Sequence, residues 1–304
     1  MTKARIARFY LDDGLRQNAV AGAHNFIAKV STVLRGAGYG VQYCPNTPAE
    51  RAKSAHRPGY SLFHMDAPLQ DRTLTFRRVY HYPFWAIEPS NKRWEWHVAQ
   101  ADFASHNVPR KPADRFYNFW RKRLFPDIPA PTKQGLVYVP LQGRLLDHRS
   151  FQQCSPLDMV RAVLDHDPDR PVVATFHPKE TYSSTEISTF RALAQENPRL
   201  TLRTGGMLEM LANCDYIVTQ NSGVAFDGMF FAKPTVLFGE IDFHHISAKV
   251  SELGVAGAIK TAPTLTPDYA GYVHWFWQVM SINAGRPEAE RHIHAALSRA
   301  GWPM

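Results

Sequence analysis

The chain has 304 residues, 44% hydrophobic and 12% aromatic, which suits one large globular domain or two of ordinary size. A formal charge of +8 and a pI of about 9.4 suit anionic partners such as nucleotide phosphates, an acidic polymer or an anionic membrane surface. There is no RNA-binding signature, zinc-finger spacing or long Lys/Arg block, so nucleic acid is not an expected partner.

The N-terminus, MTKARIARFYLDDG, lacks the apolar core of a signal peptide, and no apolar run reaches the length of a membrane span. Three widely spaced cysteines, Cys44, Cys154 and Cys214, argue against a disulfide scaffold and fit a reducing cytoplasm. Cys214 lies beside an expected buried strand and reads as a packed thiol.

Ile6 to Leu11 reads as a first strand, followed by Asp12-Asp13-Gly14. Asn18 to Arg35 reads as a helix closed by Gly36-Ala37-Gly38, and Tyr39 to Cys44 as a second strand. This β-α-β opening lacks a dinucleotide fingerprint, because its glycines follow the helix instead of preceding it. Pro45 to Pro58 is a loop or a short helix, with strands at Tyr60 to Met65 and Leu74 to Tyr80. The aromatic runs His81 to Trp85 and Trp94-Glu95-Trp96 could stack on sugar rings or pack a core, and packing is the commoner use.

Ala113 to Phe125 has helical spacing. Phe116, Phe119, Trp120 and Leu124 are expected on one face and Arg115, Arg121, Lys122 and Arg123 near the other, solvated or against an anionic surface. Pro126 to Pro131 reads as a linker.

A more regular alternation follows. Strands are expected at Leu136 to Pro140, Val172 to Phe176, Leu200 to Leu202, Asp215 to Thr219 and Thr235 to Phe238. Helices are expected at Ser155 to His166, Glu186 to Glu196, Met207 to Ala212 and Val224 to Phe231, the first capped by Ser155 with Pro156 at its first position. Asp268 to Ile282 and Glu288 to Arg299 read as closing helices.

In an open parallel sheet, ligands bind beyond the carboxyl ends of the strands. Gln142 and Gly143, His177 and Lys179, Asn221 and Ser222, and Glu240 and Asp242 follow four such strands and are expected to converge. Ser222 with the N–H groups of Gly223 and Val224 could hold a phosphate, or Asn221 or Ser222 could simply cap the helix. His177 could donate an imidazole N–H to the same phosphate and Lys179 could add a point charge. Such a pocket would stabilise a departing nucleoside phosphate. Asp242, His244 and His245 have some metal-ligand character, but adjacent loop histidines rarely face one ion, and no metal is assigned.

The ordered set LVYVPLQGRLLDHRSFQQCSP, ATFHPKE and GGMLEMLANCDYIVTQNSGVAFDGMFFAKPTVLFGEIDFHH resembles bacterial capsule polysaccharide biosynthesis proteins of the Kdo-transferase type. It spans about a third of the chain, Leu136 to His245. The resemblance implies an α/β, GT-B-like fold of two Rossmann-like domains with parallel sheets facing a central cleft. The implied domains are 1–130 on the acceptor side, 131–265 for the nucleotide sugar, and 266–304 as closing helices.

The chain is also similar to bacterial GT-B sialyltransferases, where a His-Pro motif and a Ser-containing loop hold CMP and an acidic pair before glycine supplies the general base. Asp12-Asp13-Gly14 matches the form of that motif, though it falls earlier than expected, and a two-Asp turn is an equally good reading. Asp13 is narrowly favoured as the base.

The implied activity is glycosyl transfer from a CMP-activated acidic sugar, Kdo or related, to a surface polysaccharide or glycolipid, with no cofactor beyond the donor. Asp13 and His177 are the implied catalytic residues. Gln142, Gly143, His177, Pro178, Lys179, Asn221, Ser222, Gly223, Val224 and Asp227 are the implied donor contacts. A UDP- or GDP-sugar transferase, or a non-catalytic polysaccharide-binding or assembly protein of the same fold, is the alternative. A cytoplasmic location, peripheral on the inner membrane or in a capsule-assembly complex, fits the basic charge.

Overall fold

The computed structural model describes residues 5–127 and 130–304. The chain's first four residues, and Ile128 and Pro129 of the expected linker, lie outside the described residues. The chain forms two compact units, one made of residues 1–101 with 275–304 and the other of residues 102–274. The helix Arg110–Leu124 belongs to the second unit, and the last thirty residues return to the first.

The strands of the first unit are β1 (Arg5–Leu11), β2 (Tyr39–Pro45), β3 (Tyr60–His64), β4 (Thr73–Arg78) and β5 (Phe84–Glu88). The second unit holds β6 (Val137–Pro140), β7 (Val172–Phe176), β8 (Leu200–Thr204), β9 (Tyr216–Thr219), β10 (Thr235–Leu237) and β11 (Ala248–Lys249), and β12 (Ile282–Asn283) belongs again to the first. Among the described residues each unit has one six-stranded sheet, ordered β12-β5-β4-β3-β1-β2 and β11-β10-β9-β6-β7-β8. All pairs in the second sheet are parallel. In the first sheet β2, β1, β3 and β4 are parallel, while β5 and β12 add an antiparallel edge.

The second sheet is parallel because its strands can be buried on both faces. β6, β9 and β10 expose no residue, and the core beneath them includes Val139, Val218, Val236, Leu164 and Phe190. The first sheet packs Phe9, Leu62 and Phe76 against Phe26 and Ile27 of the helix Asn25–Gly36. The C-terminal segment completes this core with Ile282, Ile293, Leu297 and Trp302. The aromatic run His81 to Trp85 serves packing: Phe84 stacks on Trp277 at 4.4 Å and Trp85 on Phe26 at 4.6 Å.

Several elements differ from expectation. Asn18 to Arg35 is two helices, Asp13–Val20 and Asn25–Gly36, parted at Gly22, whose φ of +70° is a left-handed conformation that glycine supplies without strain. The second helix restarts at His24, whose Nδ1 accepts the Ile27 N–H. The stretch Asp268 to Ile282 is not one helix: Tyr269–His274 runs into a π-helical turn, Trp275–Val279, and Ile282–Asn283 pairs with β5. The strands β5, β11 and β12 and the helix Val250–Thr261 were not expected. In Arg110–Leu124, Phe119 is exposed, whereas Arg121 turns inward and donates to the Phe230 carbonyl. At about 100° per residue Phe119 falls about 120° from the middle of the apolar stripe, among the outward residues, and the inner stripe is Ala113, Phe116, Tyr117, Trp120 and Leu124.

Candidate functional site

The strand order β8-β7-β6-β9-β10-β11 reverses direction between β6 and β9, which are neighbours in the sheet but far apart in sequence. Such a switch point opens a crevice at the carboxyl ends of the strands. Gln142 follows β6 and Asn221 follows β9, and the Gln142 amide donates to Asn221 Oδ1 at 2.7 Å. The loop after β7 joins them, because Glu180 accepts the Gly143 N–H at 2.6 Å. The Asn221 amide in turn donates to the Glu240 carbonyl beyond β10 at 3.4 Å. The four loops expected to converge are therefore linked by hydrogen bonds.

Gly143 has φ +68°, and a Cβ there would sit 2.9 Å from the Arg149 guanidinium. Only glycine lets that cation pack on the backbone of the turn. Arg149 also lies over the Phe151 ring at 4.7 Å, and its Nε is buried without a hydrogen-bond partner. Burial lowers its pKa. A half-buried guanidinium with no ion pair among the described residues is suited to an external anion. The sequence reading missed Arg149, which lies nine positions beyond β6 and is brought back by the folding of the loop.

His177 is exposed at the end of β7 in a turn closed by Glu180 N–H donating to its carbonyl. Its N–H donates to Tyr182 Oη at 3.0 Å, and its Nδ1 accepts the Lys179 N–H at 3.2 Å. With Nδ1 engaged as acceptor, the neutral ring carries its proton on Nε2, which points a donor away from the turn. Pro178 and Lys179 are exposed beside it.

Ser222 is buried and caps the helix Gly223–Gly228, its Oγ accepting the Val224 N–H at 3.3 Å. The capping arrangement weighed from the sequence is thus present, and the helix is only six residues long. Gly223, Val224 and Asp227 lie within it and are half-buried. Asp242 is fully buried, the rings of His244 and His245 stack at 4.2 Å, and His245 Nδ1 meets Tyr272 Oη at 2.9 Å. Among the described residues no group of three His, Cys, Asp or Glu side chains is arranged to hold a metal. Burial pushes the Cys214 thiol up to about 12 and Cys154 to about 11, so both are protonated packing groups at neutral pH.

Asp13 is in the first unit. It opens the helix Asp13–Val20, its side chain is 82% exposed, and its carboxylate meets Arg16 at 3.3 Å. Asp12 has a different setting. In the first sheet the order β2-β1-β3-β4 places a second switch point between β1 and β3. Asp12 follows β1 and lies 3.7 Å from Nδ1 of His64, the last residue of β3. Asn46, after β2, donates to Asp66 at 2.9 Å and to Asp12 at 3.4 Å, while Arg51 holds Asn46 Oδ1 at 2.8 Å and Asp66 at 3.2 Å. The His64 pKa is lowered by burial, partly opposed by Asp12. Asp12 is still 68% exposed, so a carboxylate oxygen remains open to solvent.

No protein-family model matches the chain, and no curated protein sequence matches it. Among solved structures, it is similar to the β-Kdo 2,7-transferase of Thermosulfurimonas dismutans KpsC, with a TM-score of 0.58 and 12% identity over 98% of this chain and 99% of that one. It also matches the β-Kdo 2,4-transferase of the same KpsC, with a TM-score of 0.47 and 11% identity over 90% of each chain. The first likeness supports the GT-B-like α/β fold, with one Rossmann-like unit around each mainly parallel sheet, and it agrees with the resemblance read from the residues.

Proposed function

We propose that the chain is a glycosyltransferase that takes a sugar from a CMP-activated donor, Kdo or a related acidic sugar, and transfers it to a surface polysaccharide or glycolipid. The observation that carries this reading is the Gln142–Asn221 hydrogen bond across the β6/β9 switch point, with His177, Lys179 and Arg149 gathered on the linked loops. These groups are donors and cations, as an anionic donor requires. The likeness to a Kdo transferase along nearly its whole length supports the same reading.

In this scheme the His177 Nε2–H and Lys179 meet the nucleoside phosphate and stabilise the charge that builds on it as the glycosidic bond breaks. Arg149 pairs with the carboxylate of the acidic sugar, where a planar guanidinium offers two parallel donors. Asn221, Ser222, Gly223, Val224 and Asp227 shape the wall near the nucleotide, with Ser222 holding the helix start in place. The acceptor proton goes to a carboxylate of the Asp12–Asp13 pair. The geometry favours Asp12, because Asp13 is turned to Arg16 and to solvent while Asp12 lies among the strand-end groups of the first unit.

Calorimetric titration with CMP, UDP and GDP, on wild type and His177→Ala, tests the reading. Selective CMP binding that the variant loses by about tenfold or more is the expected result. Preference for UDP or GDP would replace the donor, and silence with all three would favour a binding module. An exposed His177 predicts an unchanged melting temperature for the variant.

A further inference from the structure

The helix Arg110–Leu124 carries six basic residues against one acidic residue. Its inner side is committed to the second unit: Tyr117 donates to the Met229 carbonyl at 2.7 Å, Arg121 to the Phe230 carbonyl at 3.0 Å, and Ala113 and Trp120 are buried. At its start, Arg110 bridges Asp114 and Asp268, which absorbs the helix's one acid.

Lys111, Arg115, Asn118, Phe119, Lys122 and Arg123 form the outward strip, and all are exposed. Lys111, Arg115 and Lys122 make no ion pair or hydrogen bond among the described residues. Phe119 stands inside this strip, 56% exposed, its ring edge-on to Trp120 at 5.4 Å. The Arg123 guanidinium packs over the same indole at 5.7 Å. The helix thus presents an apolar ring beside unpaired cations.

A purely solvated face would have no use for the ring, and a soluble polyanion would have little. An interface whose outer layer is anionic and whose next layer is hydrocarbon matches both features. We infer that this strip docks the protein on the surface of an anionic lipid bilayer, the cations on the headgroups and Phe119 at the headgroup–acyl boundary. The contact is peripheral: no helix among the described residues is long and apolar enough to cross a membrane. It does not depend on the transferase reading, since the strip shares no residue with the strand-end loops.

The test is flotation of the full chain with phosphatidylcholine vesicles, with and without about a third phosphatidylglycerol, because each basic residue near an anionic surface is worth about fivefold in affinity. Binding is expected only to the anionic vesicles, weakening as salt rises. Lys111→Ala/Arg115→Ala/Lys122→Ala should lower it about a hundredfold, the product of three such factors. Phe119→Ser should lower it about tenfold through lost apolar burial. Circular dichroism and CMP titration of both variants should match wild type, which separates a docking defect from misfolding or from failure of the donor site. Unchanged binding in the triple variant, equal binding to neutral vesicles, or no binding of wild type to either would overturn the inference. Retention by dextran sulfate without vesicle binding would overturn it in favour of a soluble polyanion.

Discussion

The two units repeat one topological device with opposite chemistry. In each, a mainly parallel sheet reverses its strand order once, between β1 and β3 or between β6 and β9, and polar residues from the two flanking loops meet there. In the second unit the meeting groups are amides, with His177, Lys179 and Arg149 nearby, so the crevice offers hydrogen-bond donors and positive charge. In the first unit they are Asp12 and Asp66 with Asn46 and Arg51, beside a histidine that burial favours as neutral. That crevice offers acceptors. The backbone plan sets where a ligand can lie, and the loop residues decide which charge it carries.

The largest effect that would sharpen this contrast concerns the acidic side. Asp12→Asn should lower transfer by about a hundredfold or more, whereas Asp13→Asn should stay within about twofold, measured as steady-state turnover with a CMP-activated acidic sugar. The reverse ranking would return the base role to Asp13 and strip the first switch point of its catalytic meaning.

In the second unit the Lys233 amine is buried and donates to the carbonyls of Thr132 and Cys214, fastening the chain that leads into β6. Lys233→Ala should cost about 2–3 kcal/mol by denaturant titration, since two carbonyls lose a charged donor. If the units unfold separately, exchange protection should fall around β6 and β9 and hold around β1 and β3.

Smaller again is the amide pair. A double-mutant cycle of Gln142→Ala and Asn221→Ala, read as CMP affinity, should give a coupling of about 1 kcal/mol. Additive losses would mean the two residues act independently, so that the switch point is held by the loops' backbone alone.

Burial lowers the pKa of three histidines in the first unit, His24, His64 and His97, and of His274 in the second. Below about pH 6.5 the unfolded chain takes up protons that these folded side chains resist, so stability is full above that pH and declines as pH falls through it. Hydrogen exchange at mildly acid pH should therefore loosen β1 to β4 before the β6–β9 core. Simultaneous loosening would show that other groups set the acid limit.

Much of the second sheet was legible because buried parallel strands are short apolar runs bounded by helices with their own caps. Ser155 and Pro156 marked one helix start correctly, and the Ser155 Oγ does accept the Asp158 N–H. What periodicity could not supply was strand order. Nothing local says that β6 lies between β7 and β9, so the Gln142–Asn221 bond was readable only as two residues at strand ends. β5 was hidden inside an aromatic run, and β12 is two residues that form a strand only by pairing with a partner far away in sequence. Arg149 and Asp12 gained their significance in the same way, from neighbours that the fold supplies. The break at Gly22, by contrast, could have been read: a glycine followed by His24-Asn25 is a stop and a new start.

The return of residues 275–304 to the first unit also bears on how the protein is made. A ribosome delivers the second unit as one uninterrupted stretch, free to fold once it emerges. The first unit begins earlier yet waits for residues 275–304 to emerge, because Ile293, Leu297 and Trp302 cover a core laid down by β1 and β3. Throughout that interval its apolar surface lacks its final cover, and a chain stopped short of the last helix would leave the nascent unit a client for chaperones.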